Sequence, residues 1–129
     1  MQLGYVIVYV RDVAETVSFY ERAFGLTRRF VHESGHYAEM ETGATALAFA
    51  GEAFVAQTCH AFRLNRPEAE PAGAEVALVV DDVDAAFKAA GAAGALPYVE
   101  PHQKPWGQTV AYVRDPNGFL VELCSAVGE

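Results

Sequence analysis

Basic residues are scarce. Nine Lys and Arg stand against 17 Asp and Glu, a formal net charge of −8 with a pI near 4.9. Binding to phosphate backbones or anionic membranes needs clustered cations, so no nucleic-acid partner and no membrane partner is expected. Long apolar runs are lacking as well, with nothing approaching the about 18 residues of a spanning helix. Met1-Gln2-Leu3-Gly4-Tyr5-Val6 carries no basic segment and no cleavage site, so no signal peptide is expected and a cytoplasmic location is. Cysteine is limited to Cys59 and Cys124, too far apart for a C-x-x-C metal spacing, and two free thiols are expected. A Walker loop, a GxGxxG and a Ser/His/Asp order are all missing. Gly91-Ala92-Ala93-Gly94 reads as the end of a helix, not as a phosphate cradle.

Among what is present, the 52% hydrophobic and 20% charged residues of this 129-residue chain describe a globular protein of one domain or two small fused halves. Trp106 to Cys124 reads as a β-hairpin. Val110, Tyr112, Phe119, Val121 and Leu123 are strand-type residues, and Asp115-Pro116-Asn117-Gly118 between them is turn chemistry. Upstream, residues 4–10 read as a strand. Asp12 is placed to cap a helix in which Val13, Val17, Tyr20 and Phe24 recur at helical spacing, with Glu15 as capping-box partner and Gly25 as its stop. Residues 27–33, 36–42 and 45–50 read as three more strands. The same order returns about 70 residues later. Residues 74–80 form a strand, Asp82-Val83 opens a helix where Asp12-Val13 stood, and Ala48 corresponds to Glu122 at an offset of 74. A fixed offset of this kind indicates two copies of one strand–helix–three-strand unit. Residues 51–73 show no clear period, and Asn65 to Gly73 is rich in breakers. The modules are therefore drawn at 1–51 and 74–129 with a linker over 52–73.

A tandem βαβββ repeat ending in Asp-Pro-Asn-Gly-Phe-Leu-Val-Glu-Leu resembles the vicinal oxygen chelate superfamily, which includes glyoxalase I, extradiol dioxygenases and bleomycin-binding resistance proteins. Val10-Arg11-Asp12-Val13 with Phe19-Tyr20, and Val80-Asp81-Asp82-Val83, also carry the likeness. It implies an α+β fold in which the modules form a curled mixed sheet around a cleft, and a homodimer. It also implies four ligand places, usually His and Glu, on the first and fourth strands of each module. Carried onto this chain, those places are Tyr5, Ala48, Glu75 and Glu122, of which only Glu122 keeps the family's ligand. His32, His36, His60 and His102 map to none of them and are expected on the surface or in hairpins.

Strand alternation adds neighbours to those places. With Glu122 facing the cleft, so do Leu120 and Cys124, Ala46, Ala48 and Ala50, Tyr5, Ile7 and Tyr9, and Glu75, Ala77 and Val79. Val6, Val8, Val10, Leu47, Phe49, Val76, Leu78, Val80, Val121 and Leu123 would then pack on the helices. Two carboxylates and a phenol suit Zn²⁺ or Fe²⁺ poorly, so no cofactor is expected. A divalent metal, if held, would be held by Glu75 and Glu122. At about 5 Å these two carboxylates would repel by roughly 3 kcal/mol at an effective dielectric near 20. They would then share a proton or hold a cation, unless Arg28, Arg29 or Arg114 already neutralises them. Trp106 is either a stacking wall over a flat ligand or a rim residue against Tyr98 or Tyr112. Phe54 and Phe62 could line the same cleft or an interface.

The expected function is metal-free binding of a small molecule, cationic or planar as some antibiotics are, through Tyr5, Tyr9, Ala48, Glu75, Trp106 and Glu122. The alternative is a metal-dependent glyoxalase- or dioxygenase-like enzyme with a degenerate site. A third option is acid/base catalysis by Glu75 and Glu122 without a metal.

Overall fold

The computed structural model describes residues 1–58 and 60–128. Cys59, one of the two expected free thiols, lies outside the described residues. The chain divides into two compact units, Met1–Asn65 and Arg66–Glu129.

In the first unit, strand β1 (Tyr5–Val10) leads into helix α1 (Val13–Phe24), then β2 (Thr27–Val31), β3 (Tyr37–Glu41), β4 (Ala46–Gly51) and a short helix α2 (Glu52–Thr58). The sheet order is β1-β4-β3-β2. β1 and β4 are parallel, and the other two pairings are antiparallel. The second unit repeats the plan: β5 (Glu75–Val79), α3 (Val83–Ala92), β6 (Leu96–Gln103), β7 (Thr109–Arg114) and β8 (Leu120–Cys124), in the order β5-β8-β7-β6. Both sheets are mixed and open, as the repeat predicts.

The register carries the duplication down to single residues. Tyr5 pairs with Ala46 and Ile7 with Ala48, while Glu75 pairs with Leu120 and Ala77 with Glu122. These are the offsets of 70 and 74 read from the sequence. Both helices also begin at the expected capping aspartates. The Asp12 carboxylate accepts from Glu15 N at 3.0 Å, and the Asp82 carboxylate accepts from Ala85 N at 3.0 Å. Each cap satisfies an amide that the first turn leaves without a helical partner. The Glu15 side chain lies 3.9 Å from Arg22. Gly25 ends α1 at φ 68.

α1 buries Val13, Val17, Phe19 and Tyr20 against β2, β3 and β4, with the rings of Tyr20 and Phe49 4.8 Å apart. α3 rests on β6, β7 and β8. The expected helix-facing set is therefore only partly covered. Val8, Val10, Leu47, Phe49, Val121 and Leu123 are buried, but Val6 is 38% exposed and Val76, Leu78 and Val80 are half-buried. β1 and β5 are edge strands, and α1 and α3 pack on the other three strands of each sheet. Helix α2 occupies part of the stretch drawn as linker; it buries only Val55, so seven residues with one apolar anchor leave no readable period.

The turn between β7 and β8 is held from inside. Asp115 is fully buried, and its carboxylate accepts from Asn117 N at 2.8 Å and Phe119 N at 3.0 Å. Gly118 sits at φ +84 directly under the Arg66 carbonyl. A Cβ there would overlap that oxygen and lie 2.6 Å from Arg114 Nη2, so the position has room only for glycine.

Candidate functional site

Glu122 stands mid-strand on β8, opposite Ala77 on one side and Tyr112 on the other. Residues opposite one another in a sheet share a face. Tyr112 uses this and donates from its hydroxyl to Glu122 Oε1 at 2.8 Å. Glu75 is opposite Leu120, which makes it the diagonal neighbour of Glu122 on that face. Their carboxyls are close enough to act on one another. Partial burial first, then the neighbouring Glu122 carboxylate, hold the Glu75 carboxyl above the usual carboxylate range, with Lys104 pulling the other way. Glu75 thus gives up its proton at a higher pH than an isolated carboxyl would. Tyr112 is pushed up to about 12, first by its bond to Glu122 and then by burial. Burial, followed by a hydrogen bond with Glu122, raises the Cys124 thiol to about 11, leaving it a thiol at neutral pH.

Trp106 lies in the turn between β6 and β7 and is 60% exposed. Its Nε1 donates to Gln108 Oε1 at 2.9 Å, and Gln108 Nε2 donates to Ser125 O at 2.9 Å. The indole is therefore fixed through Gln108 to the strand that carries Glu122, with an open ring face.

Tyr5, Tyr9 and Ala48 lie on the sheet of the first unit. Tyr5 is 56% exposed. Tyr9 packs against Phe62, ring centroids 4.7 Å apart, and its carbonyl accepts from Asn65. Phe54 stacks on His36 at 4.5 Å. Ala48 is completely buried, between Ile7 and Glu39. The carboxylate of this sheet is one strand over, on Glu39. It accepts from the Tyr37 hydroxyl at 2.8 Å and from Arg29 Nη1 at 3.1 Å, while Arg29 also forks onto both oxygens of Glu41 at 2.9 Å. Burial and the Glu39 contact push Tyr37 up to about 12. The family places pointed to Ala48 and missed Glu39. The signal available was Tyr37 and Glu39 at i and i+2 on a strand.

Of the three arginines that stood as neutralisers of Glu75 and Glu122, none serves. Arg28 pairs with Glu21, Arg29 with Glu39 and Glu41, and Arg114 bonds backbone carbonyls. All four histidines are exposed. Among the described residues, no group of three or more His, Cys, Asp or Glu is arranged to hold a metal ion. The four family places supply two carboxylates, a phenol and a methyl group, which does not fit a four-ligand transition-metal centre.

Two open mixed sheets of βαβββ connectivity, related by an internal repeat and bearing acidic groups on the fourth strand of the second, define a duplicated α+β protein of the glyoxalase fold. The chain belongs to the Glyoxalase/Bleomycin resistance protein/Dioxygenase superfamily, whose family model matches residues 2–123. No curated protein matches it. Among solved structures it is similar to a glyoxalase-related enzyme from Fulvimarina pelagi (20% identity, 98% of this chain and 88% of that one, TM-score 0.82). It is also similar to a glyoxalase/bleomycin resistance protein/dioxygenase family enzyme from Burkholderia phytofirmans PsJN (21%, 97% and 98%, TM-score 0.79). TioX from Micromonospora sp. ML1 is a third (24%, 97% and 98%, TM-score 0.71). At these identities the likeness is one of fold.

Proposed function

We propose that the protein binds a small planar cation, without a metal ion, on the face carrying Glu75, Glu122 and Trp106. The observation that supports this most is a carboxyl pair onto which no arginine forks. Glu75 and Glu122 meet, Tyr112 pins one of them, and Lys104 is the cation that acts on Glu75. A ligand cation would displace the shared proton and relieve the repulsion. The fixed, open indole of Trp106 offers a stacking face for a flat ring system. Planar cationic antibiotics have this chemistry.

The test uses Trp106, the chain's one tryptophan, as a fluorescent reporter. Acriflavine, a planar cation, should quench it saturably, and the neutral planar acridone should bind at least tenfold more weakly. Glu122→Gln should cost acriflavine about tenfold, roughly 1.4 kcal/mol, and Trp106→Ala should weaken binding in calorimetry. Equal affinity for acridone and acriflavine, or binding unchanged in both variants, would refute the reading.

A metal-dependent glyoxalase- or dioxygenase-like activity is the second reading. It draws on the same pair, since two carboxylates with water can hold a hard divalent ion. One tightly held equivalent of metal in protein purified without chelator would favour it over the first. The proposed assembly is a homodimer, supported by exposed apolar side chains on the edge strand β1, where Tyr5 is 56% and Ile7 48% exposed. Sedimentation as a monomer at working concentration would exclude it.

A further inference from the structure

Arg114 shares the face of the carboxyl pair. It sits on β7 two residues from Tyr112, opposite Leu120, and is therefore the diagonal neighbour of Glu122. Diagonal neighbours in an antiparallel pair lie about 7–8 Å apart, within reach of a long side chain. An arginine so placed should fork onto the carboxylate, as Arg29 does onto Glu41 and Glu39 in the first unit. Arg114 does not. Its Nε donates to Gly118 O at 2.9 Å, Nη1 to Pro67 O at 3.0 Å, and Nη2 to Arg66 O at 3.2 Å and Ala69 O at 2.7 Å. The Tyr98 ring lies 6.0 Å away. Four carbonyls, three of them from residues 66–69, occupy the guanidinium.

We propose that the 66–69 segment is a strap that withholds the Arg114 guanidinium from Glu122, and so keeps the Glu75–Glu122 pair free to accept an external cation. Arg114 is then a positioning residue for the site, acting through where its charge is held. The proposal rests on the cation-binding reading above. The groups that bear on the pair are Glu75 from β5, Glu122 and Cys124 from β8, Tyr112 and Arg114 from β7, and Lys104 from the β6–β7 connection.

Lysine and neutral variants separate this role from a merely structural one. A lysine lacks the planar fork that serves four carbonyls, so in Arg114→Lys the ammonium leaves the strap and pairs with Glu122. In Arg114→Met or Arg114→Gln no charge is released. Followed by carbon NMR of the side-chain carboxyls, the Glu75 titration should move down in Arg114→Lys and stay raised in both neutral variants. Acriflavine affinity should fall about tenfold in Arg114→Lys and by less than about threefold in the folded neutral variants. If lysine and the neutral variants shift Glu75 alike, or none shifts it, the strap is structural only and the proposal is overturned. The titration needs no ligand. Failure of acriflavine to bind the unmodified protein would therefore defeat the binding reading alone, while the titration would still decide the role of Arg114.

Discussion

Replacing Gly118 by alanine tests how much of the fold depends on the close approach of residue 66 to the Asp-Pro-Asn-Gly turn. Two terms add. The left-handed conformation at φ +84 costs an alanine roughly 1–2 kcal/mol. The new Cβ would also overlap the Arg66 carbonyl and crowd Arg114 Nη2, so the strap must move. Movement loses the Arg114 bonds to Arg66, Pro67 and Ala69, each worth about 1 kcal/mol net. The sum is about 4 kcal/mol, a large share of the roughly 5–15 kcal/mol that holds a domain folded. Gly25 is the control. It has φ +68, and a Cβ added there would meet nothing within 4 Å, so Gly25→Ala should cost only the conformational term, about 1–2 kcal/mol. Urea unfolding followed by circular dichroism reads both. In an Arg114→Met background, Gly118→Ala should cost about 3 kcal/mol less, because the three bonds it breaks are already gone. Equal costs for the two glycine variants, or strict additivity with Arg114→Met, would show that the strap contributes nothing to stability.

Other outcomes follow from the charges. Because the Glu75 carboxyl is raised in the folded chain, the native state binds more protons than the unfolded one as pH climbs past the ordinary carboxyl value of 4.5. Stability should fall as pH rises from there through the raised value, and Glu75→Gln should flatten that decline in urea midpoints. Tyr37 and Tyr112 should ionise near 12, visible as a late phenolate absorbance step. Tyr112→Phe should remove part of that step, and stability should fall as pH climbs from 10 to about 12. Arg29→Met leaves the nearly buried Glu39 carboxylate without its guanidinium and should cost about 2 kcal/mol in urea unfolding. Tyr20→Ala, deep under α1 against Phe49, should cost about 3–5 kcal/mol.

The parts of this molecule legible in the sequence are those set by local rules. Asp12 and Asp82 announce their helices because a capping carboxylate acts within three residues. The repeat offsets reappear as strand register because a one-residue slip would turn every side chain over. Helix α2 was not legible, having one buried residue to set a period. In the site, the approach of Glu75 and Glu122 follows from their places on the first and fourth strands of one module, which pair side by side. The displacement of the first unit's carboxylate from position 48 to Glu39 does not, because two strands present the same face and either can carry the acid. The fate of Arg114 was least legible. Whether a guanidinium finds a carboxylate or four carbonyls depends on a segment 45 or more residues away.

The buried carboxylate of Asp115 has a wider consequence. Its oxygen is spent on two amides of its own loop, out of touch with any molecule the protein might meet. The most recognisable tetrapeptide of this chain is therefore a signature of architecture. Finding it in another sequence should be taken as a statement about how that chain turns a corner, and the question of what such a protein acts upon has to be asked of residues that carry no such conspicuous spelling.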